Sequence, residues 1–134
     1  MINLKKTNTD IGIPDMSYGW AKLTGEYLAQ LAALQYGLNV SIYRPFSGYG
    51  EDQHNQYPFN SILQQILRKE DPINLWSDSI RDFIHIDDIV DCVVDSLDKV
   101  TPEAINLGSG IGISFSQLAH EMASQVGYSP ILIY

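Results

Sequence analysis

A long helix followed directly by a strand is the feature that constrains the fold of this chain most. Apolar residues with helical spacing run from Ser17 to about Gln35, and Gly37 is a plausible end for the helix. Residues 39–43 then alternate apolar and polar side chains, as a strand does, and lead into a loop at residues 44–50. Helix, strand and loop in this order predict an α/β protein, whose ligands gather beyond the C-terminal ends of the strands.

The rest of the chain continues the alternation of helices and strands. Helices are predicted from about Phe59 to Leu67, after an N-cap at Asp87, and from about Phe115. The last of these helices begins with Ser114 and a glutamine three residues later, which match a capping box. Short strands are predicted at residues 73–76, 81–86, 104–107 and 131–133.

Tyr18 and Lys22 are the candidate catalytic residues. They are four residues apart, so a helix places them on one face, one turn apart. A nearby ammonium group favours the phenolate form of a tyrosine, and such a tyrosine can move protons to or from a substrate hydroxyl. The alternative is a tyrosine and a solvated lysine on an amphipathic helix, and the spacing alone leaves it open.

The composition argues against several classes of protein. Acidic residues outnumber basic ones by 16 to 8, giving a formal net charge of −8, which disfavours broad binding to nucleic acid or to an anionic membrane. Since no apolar run is long enough to span a bilayer and no secretory signal is recognisable, we expect a cytoplasmic protein. With Cys92 as the one cysteine and His54 without a nearby second ligand, neither a disulfide nor a metal site is predicted. His85 is expected to hydrogen-bond within the fold.

The glycine-rich loop that starts at Gly108 has two interpretations. A strand, glycines and a helix in this order are typical of a phosphate cradle. The dinucleotide spacing fails, however, because Ile113 occupies the position of the third glycine. We therefore favour a tight turn that leads into a capped helix over a cofactor site.

Four segments in sequence resemble the extended short-chain dehydrogenase/reductases, the NAD-dependent sugar epimerase/dehydratase family. SYGWAK at residues 17–22, together with Glu26, resembles the catalytic helix of that family. RPFSGYG at 44–50 resembles its substrate loop, and RDFIHIDD at 81–88 resembles its C-terminal signature. INLGSG at 105–110 is similar to its following strand and turn. The resemblance implies a partial Rossmann-like sheet with helices, plus the small C-terminal substrate-binding lobe.

The resemblance also implies roles for individual residues. Tyr18 would exchange the hydroxyl proton as hydride moves to or from NAD, and Lys22 would lower the pKa of Tyr18 and hydrogen-bond the nicotinamide ribose. Arg81 would hold the diphosphate of a nucleotide-sugar, whose oxygens suit its planar fork. Ser47 and Tyr49, in the substrate loop, are further candidates for substrate binding. The alternative for Arg81 is a surface ion pair with a neighbouring aspartate, Asp78 or Asp82.

The sequence departs from the family at its N-terminal side, where we find no glycine-rich dinucleotide turn. Ser47 also stands where the family commonly has asparagine, and Glu51 where it has proline. We therefore expect an irregular segment at residues 1–16 and a truncated epimerase/dehydratase-like domain at 17–134, inactive and without bound NAD on its own. Alternatively, the chain is a non-catalytic module that binds nucleotide-sugars or oligomerises. The apolar arc of the helix at 17–35 is wide enough to pair with its copy in a homo-oligomer.

Overall fold

The computed structural model describes residues 13–14, 16–99 and 103–134, and most of the predicted N-terminal segment at 1–16 lies outside this range. The helices described are α1 (Ser17–Tyr36), α2 (Pro58–Leu67), α3 (Ile86–Asp95) and α4 (Phe115–Gln125). The strands are β1 (Tyr43–Pro45), β2 (Ser47–Tyr49), β3 (Ile73–Asn74), β4 (Ile80–His85), β5 (Ile105–Leu107), β6 (Gly112–Ser114) and β7 (Leu132–Ile133). Within these ranges, no helix is both long and apolar enough to cross a membrane.

The strands of the described residues form three small sheets, and parallel pairing predominates. β1 pairs with β5, and β3 pairs with β7, both in parallel. β4 lies at the centre of the third sheet, parallel to β2 and antiparallel to β6. Parallel strands separated by helices confirm the predicted α/β class.

The core lies between α2, α4 and the strands beside them. Its fully buried side chains are Ile62 and Ile66 of α2, Ile73 and Leu75 around β3, and Ala119 and Ala123 of α4. Of the helically spaced apolar residues of α2, Ile62 and Ile66 therefore face the interior, whereas Leu67 at the end of the helix is 57% exposed. Burial of these aliphatic groups, at roughly 1.5–3 kcal/mol for each large side chain, is the main favourable contribution to the folding free energy of this part of the structure.

The ends of two predicted helices are confirmed. Gly37 ends α1 with φ = 65°, a left-handed conformation that glycine adopts without cost, and its N–H donates to the carbonyl of Ala33. At the start of α4, the Ser114 hydroxyl accepts from the N–H of Gln117, and the Gln117 side chain accepts from the N–H of Ser114. This reciprocal capping box is the one that the sequence predicts.

The start of α3 was predicted wrongly. The N-cap is His85, whose Nδ1 accepts a hydrogen bond of 3.2 Å from the N–H of Asp87. Asp87 therefore lies in the first turn with Asp88, where negative charge is favoured by the helix dipole. An imidazole nitrogen has replaced the carboxylate as the capping acceptor. The expected hydrogen bond of His85 within the fold is confirmed.

Two predictions around β1 also need correction. The strand predicted at 39–43 begins only at Tyr43, because its partner β5 offers just three residues for pairing. The loop predicted at 44–50 instead contains the end of β1 and all of β2. Pro45 is tolerated in β1, since its missing N–H is not needed on that side of the ladder. At Phe46 the chain passes from one sheet to the next, and the Phe46 N–H donates to the carbonyl of Leu107 at 2.9 Å.

Candidate functional site

The structure brings Tyr18 and Lys22 together at one side of α1. Lys22 Nζ lies over the ring of Tyr18, 5.1 Å from its centroid, as expected for residues one helical turn apart. Both side chains line a cleft of about 690 Å³ between α1 and residues Ser41–Pro45. Tyr18 is 73% exposed, so most of this residue is accessible to a molecule that enters the cleft. An acid/base group needs such access to its substrate.

An ion pair that the sequence analysis missed holds α1 against β1. Arg44 Nε donates to Oε1 and Oε2 of Glu26, at 2.8 and 3.0 Å, and Nη2 lies 2.7 and 2.9 Å from the same two oxygens. The Glu26 side chain is only 13% exposed. The available signal was the spacing of Glu26, four residues after Lys22 on the same helix face. Its partner could not be identified from spacing, because the contact joins two separate elements.

The substrate-binding candidates lie on neighbouring strands. In the parallel pair of β2 and β4, Ser47 lies opposite Phe83 and Tyr49 lies opposite His85. Arg81 precedes Phe83 by two residues, and side chains two apart on a strand point to the same face. Ser47, Tyr49 and Arg81 therefore share one face of this sheet.

A row of aromatic rings fixes this face of the sheet. The Tyr49 ring stacks on Phe59, with centroids 4.0 Å apart, and meets the edge of His85 at 5.1 Å. The row continues from Phe59 to Phe83, whose centroids are 5.6 Å apart, and from Phe83 to Phe115, whose centroids are 6.4 Å apart. Offset and tilted ring pairs of this kind pack tightly and restrict side-chain rotation. Tyr49 is consequently held in place at the mouth of a second cleft, of about 600 Å³.

Arg81 lies at the other end of this aromatic row. Its guanidinium carbon is 5.9 Å from the centroid of Phe115, and Nη1 donates to the carbonyl of Ile80 at 2.9 Å. The two carboxylates proposed as its ion-pair partners are engaged elsewhere, Asp78 with Ser116 and Asp82 with the loop after β5. Bonds from the N–H and then the hydroxyl of Ser116 hold the pKa of Asp78 below its usual value.

The site is divided in this structure. Tyr18 and Lys22 line the first cleft and Tyr49 lines the second, whereas Arg81 and Ser47 line neither of these two. The second cleft has acidic residues at its rim, among them Glu51, Asp52 and Asp87. The structure thus groups the predicted catalytic residues in one cleft, whereas the predicted substrate residues share a sheet face but no common cleft.

The loop after β5 binds a carboxylate of the chain itself. Asp82 accepts hydrogen bonds from the N–H and the hydroxyl of Ser109, at 2.7 and 2.8 Å, and from the N–H of Gly110 at 2.9 Å. These are the amides that a phosphate would need in a cradle at this loop. Because they donate to Asp82, the residues of this loop do not fit a cofactor phosphate, which supports its interpretation as a turn. The turn leads first into β6 and then into α4.

Comparison with known proteins identifies the relatives of this chain. The family model described as the NAD dependent epimerase/dehydratase family matches residues 5–108. A UDP-glucuronate 4-epimerase from Thermodesulfobacterium geofontis is 33% identical over 122 residues, covering 87% of this chain and 37% of the relative. A putative GDP-L-fucose synthase 2 from Arabidopsis thaliana is 28% identical over 129 residues, covering 87% of this chain and 39% of the relative.

Solved structures give the same result. The UDP-glucuronic acid 4-epimerase from Bacillus cereus, in complex with UDP-glucuronic acid and NAD, superposes with a TM-score of 0.83 and 26% identity. That match covers 97% of this chain and 44% of the epimerase. The UDP-glucose 4-epimerase from Thermotoga maritima, with UDP-glucose, gives a TM-score of 0.83 and 25% identity over 98% of this chain and 45% of the other.

These matches define both the fold and its extent. The likeness to the solved epimerases confirms the predicted α/β class with a partial Rossmann-like sheet. The chain spans about two fifths of the length of the curated relatives it matches. Since the family model matches well over half of its residues, the chain belongs to the NAD-dependent epimerase/dehydratase family, whose relatives here are nucleotide-sugar enzymes.

Proposed function

We propose that this chain carries the catalytic helix and the substrate-binding strands of a nucleotide-sugar epimerase, dehydratase or reductase. The observation that supports this most is the stacking of Lys22 on Tyr18 at an open cleft. The family assignment supplies the chemistry for which this pair is suited. An isolated tyrosine and lysine would carry no such implication.

Tyr18 acts in this proposal as the general acid/base at a sugar hydroxyl. Its phenolate oxygen takes the hydroxyl proton when the sugar carbon is oxidised, and the neutral phenol returns this proton on reduction. Lys22, on the same face of α1, stabilises the negative charge that develops on the phenol oxygen. NAD, when bound, supplies the acceptor and donor of hydride. Tyr18 and Lys22 are the described residues suited to face its nicotinamide ribose.

We also propose that the chain alone is inactive, because its described residues do not provide a site for the cofactor's diphosphate. The glycine-rich loop that resembled such a site has its Ser109 and Gly110 amides bonded to Asp82. Calorimetric titration of the chain with NAD and NADH should therefore give no measurable heat of binding. A tight, saturable isotherm would contradict this part of the proposal.

Arg81 binds the substrate diphosphate in this proposal. Its position at the end of the aromatic row, stacked on Phe115, holds the guanidinium group ready for phosphate oxygens. Ser47 and Tyr49 share its face of the sheet and would contact the same substrate. A fixed guanidinium fork loses less entropy on binding than a mobile lysine would.

The test is titration of the chain with UDP-, GDP- and dTDP-sugars by calorimetry, using three variants. Arg81→Ala should weaken binding by about 10- to 100-fold, the usual loss for a charge-assisted hydrogen bond. Arg81→Lys keeps the positive charge but loses the planar guanidinium fork, so its affinity should lie between those of the unaltered chain and Arg81→Ala. Arg68→Ala removes an exposed arginine whose nearest carboxylate is 3.6 Å away, and should leave the affinity unchanged. Equal affinity of Arg81→Ala and the unaltered chain would refute the role of Arg81.

The second candidate function is that of an assembly module without chemistry. The observation that favours it is an exposed aromatic face of α1, where Trp20 and Tyr27, seven residues apart, are 50% and 62% exposed. No residue of α1 is buried. A helix face of this kind is suited to pairing with another protein surface, including its own copy. Absence of binding for every sugar nucleotide, combined with stable self-association, would favour this candidate.

A further inference from the structure

The ion pair between Glu26 and Arg44 connects the proposed catalytic helix to the sheet. α1 has no buried residue, so apolar packing by itself fixes its position weakly. By contrast, the Glu26 side chain is only 13% exposed, and its carboxylate accepts hydrogen bonds from Nε and Nη2 of Arg44 at 2.7–3.0 Å. Two parallel bonds of this type constrain orientation as well as distance.

The pair lies on the same face of α1 as the proposed catalytic residues. Tyr18, Lys22 and Glu26 follow one another at four-residue intervals, and each interval is one helical turn. All three line the cleft beside Ser41–Pro45, and Arg44 lines it from the other side. Rotation of the helix by a single residue position, about 100°, would remove Tyr18 and Lys22 from this cleft.

We propose that Glu26 and Arg44 are positioning residues that fix the rotation and height of α1 against β1, and so place Tyr18 and Lys22 in the cleft. The pair acts through the helix and does not touch the reacting atoms. That this placement serves catalysis rests on the proposed function, whereas the fixing of α1 against β1 does not depend on it. Each can therefore fail separately.

Hydrogen exchange followed by mass spectrometry on the full chain tests the placement. Glu26→Gln keeps the shape of the side chain and removes its charge. We expect amides of α1 to exchange at least about tenfold faster in this variant, since the helix detaches more often. Amides of α2 and α4, in the core around Ile62 and Ala119, should exchange at their original rates.

Two further variants distinguish positioning from general stabilisation. The double variant Glu26→Arg with Arg44→Glu reverses the pair and should restore most of the protection that either single change removes. Glu70→Gln disrupts the exposed pair of Arg68 and Glu70, 3.6 Å apart, and should leave α1 unchanged.

The proposal is overturned if the amides of α1 exchange no faster in Glu26→Gln than in the unaltered chain. It is also overturned if the exchange rates of α1, α2 and α4 all rise by the same factor. A third contradicting result is that the amides of α1 exchange as fast in the reversed pair as in the single variants Glu26→Arg and Arg44→Glu. A response of α1 together with no sugar-nucleotide binding by the unaltered chain would reject the proposed function and retain the positioning role. Binding without any response of α1 would do the opposite.

Discussion

Gly108 lies where three parts of the chain meet. A Cβ atom at this position would lie 2.4 Å from the Phe46 ring and 2.6 Å from a carboxylate oxygen of Asp82. Real Cβ atoms do not approach other atoms so closely, so a side chain here must displace both neighbours. Asp82 in turn holds the amides of Ser109 and Gly110. Gly108 is therefore required by close packing around the turn.

Replacement of Gly108 by alanine should destabilise the protein by about 1–3 kcal/mol, the usual cost of overpacking. Gly25 offers a matched control, because a Cβ atom there meets nothing within 4 Å in the middle of α1. Gly25→Ala should be neutral or stabilising by up to about 1 kcal/mol, through its better helix propensity. Urea unfolding of both variants provides the measurement. Gly108→Ala with unaltered stability would show that the turn relaxes freely.

Among the elements, α4 has the most completely satisfied N-terminus. Its capping box joins Ser114 and Gln117, and the Asp78 carboxylate accepts from the N–H and hydroxyl of Ser116 at 2.8 and 2.9 Å. These contacts use amides that a helix cannot satisfy within itself. They also tie α4 to the turn that precedes β4, and so help to hold Arg81 near Phe115.

Ser114→Ala should cost about 1 kcal/mol of unfolding free energy, as removal of an N-cap usually does. Ser124→Ala is the control, since that hydroxyl bonds the carbonyl of Glu121 inside the same helix and caps nothing. It should change stability by less than about 0.5 kcal/mol. Both can be measured by thermal unfolding monitored by circular dichroism. Equal effects of the two changes would contradict the capping role.

The elements also show how far the sequence could predict the structure. α1 and α4 were predicted because helical periodicity and end signals such as Gly37 and Ser114 act locally. β1 and β2 were misjudged, since strands of three residues carry too little alternation to separate from a loop. The cap at His85 was missed because histidine is an unusual N-cap.

The candidate site follows the same division. The pairing of Tyr18 with Lys22 is local to one helix and could be predicted from spacing. The contact of Glu26 with Arg44 depends on how a helix and a strand pack, and no spacing encodes it. The common face of Ser47 and Arg81 likewise depends on the register of β2 against β4. Long-range pairing therefore limits what a single sequence can reveal about this site.

At the scale of the whole molecule, two of the described helices, α1 and α3, present exposed apolar side chains. On α1, Tyr18, Trp20 and Tyr27 are at least half exposed, and on α3 Val90 and Val94 are 49% and 57% exposed. The stripe of α1 that we expect to pair consists of Trp20, Leu23, Tyr27 and Leu31, and it is only partly exposed, since Leu23 and Leu31 are half-buried. Exposed patches of this kind favour contact with another surface.

We predict self-association through α1, because pairing would remove the Trp20 and Tyr27 rings from water at roughly 25 cal/mol per Å² of apolar surface. Trp20→Ser combined with Tyr27→Ser should shift the sedimentation profile toward the monomer. Tyr134→Ser, at a 67% exposed residue outside α1, is the control and should leave the profile unchanged. A strictly monomeric profile of the unaltered chain at high concentration would contradict this prediction.

The passage of the chain from β1 to β2 has a mechanical consequence for the whole molecule. Phe46 alone separates the two strands, and its amide is bonded to Leu107 while its ring abuts Gly108. A connection of one residue that is fixed by these contacts does not allow one sheet to move independently of the other. If the proposed substrate draws these strands together, the movement would therefore be transmitted to β1, and through Arg44 to the helix that carries Tyr18.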